Sequence, residues 1–209
     1  MPDIQKIKIE DWKTVEYRAC LERQRQMRQS RLADEIDDTL VLLEHPPVIT
    51  LGRRGVVEGA LLDTGSVPVV QTERGGEVTY HGPGQLVGYI FYKFKAEDKI
   101  PAFVNWIEQL TIGLLGEYSL EATRRKDHRG VWVDSGQLGL LKICSIGIAL
   151  HHGVTMHGFA LNIAPDMHDF ARIRPCGLDS SVMASMNMLL PQAPQLEEVK
   201  MRLMNKGTR

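Results

Sequence analysis

No stretch of this 209-residue chain reaches the ~18 consecutive apolar residues that a membrane-spanning helix requires. Met1 to Trp12 mixes acids and bases without an apolar centre, so it does not read as a secretory signal, and Asp3, Glu10 and Asp11 speak against a mitochondrial presequence. Neither sign of charge dominates. The 25 Lys and Arg residues meet 26 Asp and Glu, which argues against bulk electrostatic capture of nucleic acid or a membrane surface. Cysteine is scarce: Cys20, Cys144 and Cys176 are odd in number and far apart. They read as free thiols in a reducing, cytoplasmic setting, and the absence of C-x-x-C speaks against structural zinc. There is no G-x-x-x-x-G-K-[ST] and no G-x-G-x-x-G, so neither a P-loop nor a Rossmann nucleotide site is expected. Repeats, low-complexity segments and linkers are also missing, so residues 1–209 read as one domain.

What is present is a soluble-protein composition, 43% hydrophobic and 24% charged, long enough to bury a core. Trp12, Val15, Ala19 and Met27 at helical spacing predict a long, mostly exposed helix from Glu10 to about Ile36. Its arginines, interleaved with Glu22, Asp34 and Glu35, read as a solvated face. Short strands follow at Thr39–Glu44, Val48–Leu51 and Pro68–Thr72, with His45-Pro46-Pro47 breaking the first from the second. Leu86–Phe94 is a further strand with Val87, Tyr89 and Phe91 on one face. Pro101 opens a core helix carrying Phe103, Ile107, Leu110, Leu114, Leu115 and Tyr118. Three strands at Glu121–Arg125, Gly130–Val133 and Leu138–Leu150, another at Val154–Ile163, and a terminal helix at Gln195–Asn205 complete the reading. Many strands with few helices imply an α+β domain on a mixed, largely antiparallel sheet.

The richest stretch is Arg74 to Leu86, R-G-G-E-V-T-Y-H-G-P-G-Q-L. Its four glycines permit positive φ and close approach of a ligand to the main chain. Between the glycine pairs, Glu77-Val78-Thr79-Tyr80 suits a short strand, so a hairpin with Arg74 and His81 at its ends is expected. Exposed N–H groups flanked by Arg and His suit a thioester, carboxylate or phosphate. Gly52-Arg53-Arg54-Gly55 reads as a turn carrying surface charge.

Two further residues invite chemistry. Cys176 lies in Arg174-Pro175-Cys176-Gly177, where Pro and Gly hold a thiol on a rigid turn. A free thiol of pKa ~8.5 carries little thiolate at neutral pH without a nearby cation. Lys142 stands in an apolar strand, where an amine is costly unless partnered and where partial burial lowers its pKa toward proton shuttling. From these residues alone, the cysteine reads as structural or nucleophilic, and the lysine as a strand-edge guard or an acid/base. Cys144, two residues from Lys142, is a rival on the same strand face, although its apolar neighbours read as core. His151 and His152 are adjacent on a strand and point apart, so they form no metal pair.

The Arg74–Leu86 stretch closely resembles the signature of the octanoyltransferases of lipoate biosynthesis. Lys142-Ile143-Cys144-Ser145-Ile146-Gly147, His157-Gly158-Phe159-Ala160-Leu161-Asn162 and Pro175-Cys176-Gly177 match the same family in order and spacing. The resemblance covers roughly residues 40 to 180. It departs at His152–Met156, which lacks the family's usual Trp and Tyr, and at Tyr89-Ile90, where the family has Tyr-Pro.

The resemblance implies the catalytic fold shared by biotin and lipoate ligases. It implies Cys176 as the nucleophile that takes an acyl thioester and Lys142 as its acid/base. Arg74, Gly75, Gly76, Glu77, Val78, Thr79, Tyr80 and His81 would line the acyl pocket, with Ser145, Ile146, Gly147, Gly158, Phe159 and Ala160. Gly147 and Gly158 would leave room for the acyl tail, and His81 and His157 would orient substrate or sit as core histidines. The donor would be octanoyl-acyl carrier protein, an acidic partner that the Arg53-Arg54 loop would help to dock, unless those arginines are plain surface charge. The acceptor would be a lipoyl domain of a 2-oxoacid dehydrogenase complex or the glycine cleavage H protein. No cofactor or metal is implied. An ATP-dependent lipoate or biotin ligase of the same fold and a non-catalytic acyl- or carrier-binding relative are the alternative expectations.

Overall fold

The computed structural model describes residues 2–55, 59–136 and 138–207, and only the backbone of Cys176. Ten strands form two sheets. The larger joins β1 (Lys8–Thr14), β2 (Thr39–Glu44), β6 (Gln85–Phe91), β10 (Val154–Asn162), β9 (Leu140–His151), β8 (Val131–Asp134) and β7 (Ala122–Arg124), in that order. Within this sheet β1 and β2 pair in parallel and the other neighbouring pairs are antiparallel. The smaller sheet places β3 (Val48–Leu51) between β4 (Val69–Gln71) and β5 (Val78–His81). The expected α+β class with a mixed, largely antiparallel sheet is what the chain adopts.

Helix α1 (Tyr17–Leu32) covers one face of the large sheet. Tyr17, Cys20 and Leu21 pack there with Val41, Leu43, Val87, Phe91 and Ala160. Burying side chains such as Leu21 and Phe91 contributes about 2 kcal/mol each. The other face carries α2 (Ile100–Gly116), whose Phe103, Ile107, Leu114 and Leu115 meet Leu40, Leu42, Leu86 and Leu161. Short α3 (Met186–Leu189) and terminal α4 (Leu196–Lys206) extend that layer through Met186, Val199 and Leu203. A third cluster beneath the small sheet joins Ile49, Val78 and Tyr80 to Phe170, Ile173 and Met183. No helix among the described residues is long and apolar enough to cross a membrane.

Two expectations fail for physical reasons. Residues 8–14 are a strand, not the start of the helix. Parallel pairing with β2, extended by the Val15 N–H to Glu44 O bond of 3.0 Å, outweighs the helical spacing of Trp12 and Val15. Glu16 then caps α1 by accepting from the Ala19 N–H at 2.9 Å, and Ala19 faces solvent rather than the core. The glycine stretch, in turn, is not a hairpin. β5 pairs only with β3, and β6 pairs with β2 and β10, so Gly82-Pro83-Gly84 carries the chain from the small sheet to the large one. At Gly84, with φ +84°, a Cβ would stand 2.3 Å from the Ala164 carbonyl oxygen, so only glycine fits this crossover.

Candidate active site

The two sheets meet over a cavity of about 780 Å³. Its walls come from the glycine stretch, from β9 and β10, and from the 3₁₀ turn Pro175–Gly177. Arg74, Gly75, Gly76, Glu77, Val78, Thr79 and His81 line it, as do Lys142, Ser145, Ile146, Gly147, His157, Gly158, Phe159, Ala160 and Pro175. Tyr80 does not. Alternation along β5 sends its ring to the opposite side, where the hydroxyl donates to Asp169 at 2.6 Å and the ring meets Phe170.

The wall of the glycine stretch is held by its own backbone. The Gly75 N–H donates to Ile148 O at 2.8 Å, and the Gly52 N–H donates to Glu77 O at 2.8 Å. Buried Arg74 spends its guanidinium on the same task. It donates to Thr50 O and Oγ1 and to the carbonyls of Gly75 and Glu77, at 2.7 to 3.2 Å. Its described bonds therefore clamp the loop to β3. At Gly158 and Gly147 the backbone of a neighbouring segment leaves no space for a side chain. A Cβ on Gly158 would stand 2.1 Å from Gly88 O, and one on Gly147 would stand 2.9 Å from Gly75 O.

Lys142 is buried, 6% exposed, on the cavity wall. A bulge in β9 aims it: Val131 pairs with Cys144 and Trp132 with Lys142, leaving Ile143 extra. The extra residue breaks the alternation that would have set Lys142 and Cys144 side by side. The Lys142 ammonium lies 5.7 Å from the Trp132 ring centroid, while Cys144 packs with Val131, Leu141 and Ile143. Burial pushes the Cys144 thiol up to about 12, so it is an inert core residue, as its apolar neighbours suggested. The Cys176 side chain lies outside the described residues, and its backbone belongs to the turn whose Pro175 lines the cavity.

A buried polar cluster that sequence reasoning did not assemble forms one end of the cavity wall. The His45 ring, just past β2, ties the link between β1 and α1 to β6, with Nδ1 2.6 Å from Val15 O and Nε2 2.7 Å from the Tyr89 hydroxyl. His81 Nδ1 lies 2.7 Å from Gln85 Oε1, and the His81 ring stacks on Tyr17. Burial holds His45 at about 4 and His81 well below the ordinary imidazole value. His157 sits in this group at φ +61°, its N–H donating to Gln24 Oε1 at 3.1 Å. Its two ring nitrogens have no hydrogen-bond partner among the described residues, and Glu73 Oε2 is 4.0 Å away. Burial lowers its pKa to about 3, so the imidazole is neutral. Asp127, His128 and Arg129, unremarkable in the sequence, also line the cavity. No cluster of three or more metal-ligating side chains occurs among the described residues.

Comparison with known proteins agrees with this architecture. The family model for the lipoyl protein ligase A/B catalytic domain matches residues 16–207. An octanoyltransferase of Ectopseudomonas mendocina is 44% identical over 193 residues, covering 90% of this chain and 89% of that protein. One from Chloroflexus aggregans is 42% identical over 196 residues, covering 90% and 87%. Among solved structures, a putative lipoate protein ligase from T. acidophilum with bound lipoic acid aligns over 96% of this chain and 83% of its own, with TM-score 0.73 at 13% identity. A biotin acetyl coenzyme A carboxylase synthetase from Helicobacter pylori aligns over 96% and 74%, with TM-score 0.52 at 10% identity. The latter two share the fold. With a family model over nearly its whole length and relatives above 40% identity, the chain belongs to the octanoyltransferases of the lipoyl protein ligase A/B catalytic-domain family, and it is a transferase enzyme.

Proposed function

We propose that the chain moves an octanoyl group from octanoyl-acyl carrier protein, through a thioester on Cys176, to a lysine amine of a lipoyl domain. The observation that carries this reading is a buried amine, Lys142, on the wall of a cavity whose rim includes the Pro175–Gly177 turn. The names of the relatives supply the acyl group.

Lys142 stabilises the Cys176 thiolate, which attacks the thioester carbonyl carbon of the donor. The bond from that carbon to the pantetheine sulfur breaks, and the departing thiolate takes a proton from the Lys142 ammonium. The octanoyl group then sits on Cys176. A neutral lysine amine of the lipoyl domain attacks the same carbon, Lys142 accepts the proton it sheds, and the Cys176 thiolate leaves. Thioester to amide is downhill, so the sequence runs without ATP. Backbone N–H groups of the cavity wall are candidates for stabilising the tetrahedral oxyanion. The acceptors in this reading are the lipoyl domains of 2-oxoacid dehydrogenase complexes and the glycine cleavage H protein, and the setting is the cytoplasm.

Intact-protein mass spectrometry after incubation with octanoyl-carrier protein tests the reading. A hydroxylamine-labile octanoyl adduct, mapped to Cys176, absent from Cys176→Ser and discharged by apo lipoyl domain, is expected. An acyl-adenylate formed from octanoate and ATP, with no adduct, would replace the transferase mechanism with a ligase one.

A further inference from the structure

Beside the cavity lies a second recess of about 570 Å³, lined by Asn105, Glu108, Thr123, Arg124, Arg125, Lys126 and Arg129. Arg129 lines both spaces, so the recess adjoins the cavity. Residues 124–129 thus form a strap with four cations, against the carboxylates of Asp127 and buried Glu108. The whole chain is balanced, at net charge −1, so this concentration of positive charge leaves the remaining surface net negative.

The strap lies close to the chemistry. The Arg125 guanidinium carbon is 4.8 Å from the Trp132 ring centroid, and the Lys142 amine is 5.7 Å from the same centroid. The two cations are therefore no more than about 11 Å apart. Two members are held in place. Arg125 donates to both oxygens of Asp127, at 3.1 and 2.5 Å, and lies over Trp132. Arg129 donates to Asn105 Oδ1 at 2.8 Å and stands 3.6 Å from Glu108. Arg124 and Lys126 are exposed. Guanidinium groups fixed in advance lose less freedom when they meet an anion than mobile ones do.

Resting on the proposed transfer reaction, we infer that the 124–129 strap docks the acidic face of the donor carrier protein and presents its acyl arm to Lys142. A cluster of cations beside a cavity mouth draws an acidic macromolecule toward that mouth. The body of a carrier protein is too large for the cavity, so it halts at the rim while its prosthetic arm enters. Arg53 and Arg54 also line the cavity; the strap is the cationic segment that shares the Trp132 ring with the amine.

The test is a charge reversal, Arg124→Glu with Lys126→Glu; neither residue lines the main cavity. Acylation of the enzyme is followed by mass spectrometry with two donors, octanoyl-carrier protein and the uncharged octanoyl N-acetylcysteamine thioester. The reversal is expected to lower kcat/KM for the carrier protein at least tenfold and to leave the small thioester within twofold. The wild-type rate with the carrier protein should also fall steeply with salt, and the rate with the small thioester should not. Equal losses with both donors, or none with either, would overturn the inference. So would a loss confined to discharge of preformed acyl-enzyme onto the lipoyl domain, or a loss of ATP binding with carrier acylation intact. If the wild type is acylated by neither donor, the transfer reading itself has failed, which is a different result.

Discussion

Gly130 and Lys142 share one space. A Cβ on Gly130 would stand 2.7 Å from Lys142 Cε and 2.4 Å from the Cys144 carbonyl oxygen, and Gly130 itself sits at φ +124°. The missing side chain is the slot through which the lysine stem passes, and Glu108 Oε1 fixes the slot by accepting the Gly130 N–H at 3.1 Å. Gly130→Ala is therefore expected to displace the amine and lower acyl transfer at least tenfold. On the proposed acid/base role, Lys142→Ala should lower it by about 10²–10⁴. The double variant should be no worse than Lys142→Ala alone, because one interaction is removed twice. Independent, multiplying losses in single-turnover kinetics would contradict the shared slot.

Most of the frame was legible in the sequence, because alternation and caps act locally. Val87, Tyr89 and Phe91 do face one core while Leu86 and Ile90 face the other, and Pro101 does open α2. What escaped depends on partners far along the chain. Trp12 and Val15 fit a helix until β2 offers them a ladder, and the glycine stretch fits a hairpin until β3 and β10 compete for its two strands. The site divides in the same way. The stretch 74–81, Lys142 and residues 145–147 and 157–160 announced themselves as motifs, and all but Tyr80 line one cavity. Tyr17, Glu108 and Gly130 carried no local signal, and His45 showed only as part of a strand-breaking His-Pro-Pro. Their places follow from bonds spanning 22 to 44 residues or from ring contacts.

Thiol chemistry should separate the three cysteines. Cys20 and Cys144 are free and buried, and burial pushes both thiols up to about 12, so almost no thiolate exists at pH 8. Iodoacetamide on the native protein is expected to leave both unmodified and to label Cys176 alone, as mapped by peptide mass spectrometry. Cys144→Ala should keep activity within about threefold and lower stability by about 1 kcal/mol, the cost of a small core cavity. Rapid labelling of Cys144 in the folded protein would break the assignment.

The route from His81 to the Lys142 backbone is a chain of side-chain amides. His81 meets Gln85, the Gln85 amide donates to Asn162 Oδ1 at 2.9 Å, and Asn162 Nδ2 donates to Ala184 O at 2.9 Å. The Ala184 N–H in turn donates to Lys142 O at 2.8 Å. Asn162→Ala would leave the buried Gln85 amide with only its 3.3 Å bond to Tyr80 O and would remove the side-chain donor to the Ala184 carbonyl. A stability loss of about 1–3 kcal/mol is expected in urea unfolding. Asn162→Asp, which keeps the acceptor for Gln85 and loses the donor to Ala184, should fall at least as far because it also buries a charge.

Acid should unfold this protein earlier than its carboxylates alone would require. His45 and His157 titrate at about 4 and about 3 in the fold against 6.5 when unfolded, and His81 lies well below 6.5. Between those values the unfolded chain binds protons that the folded one refuses, so stability rises with pH. The contribution is complete above about pH 6.5 and is lost as pH falls toward 4 and then 3. The slope is about 1.4 kcal/mol per pH unit for each histidine fully engaged. The ion-paired carboxylates, with ordinary values of 3.8 to 4.5, add their own loss only lower down. Urea midpoints measured from pH 7 to pH 5 isolate the histidines. A clear decline over that interval is expected, and replacing His45 by Gln should flatten it while costing stability at pH 7. A flat profile between pH 7 and pH 5 would mean that these imidazoles meet water or a ligand that lets them charge inside the fold.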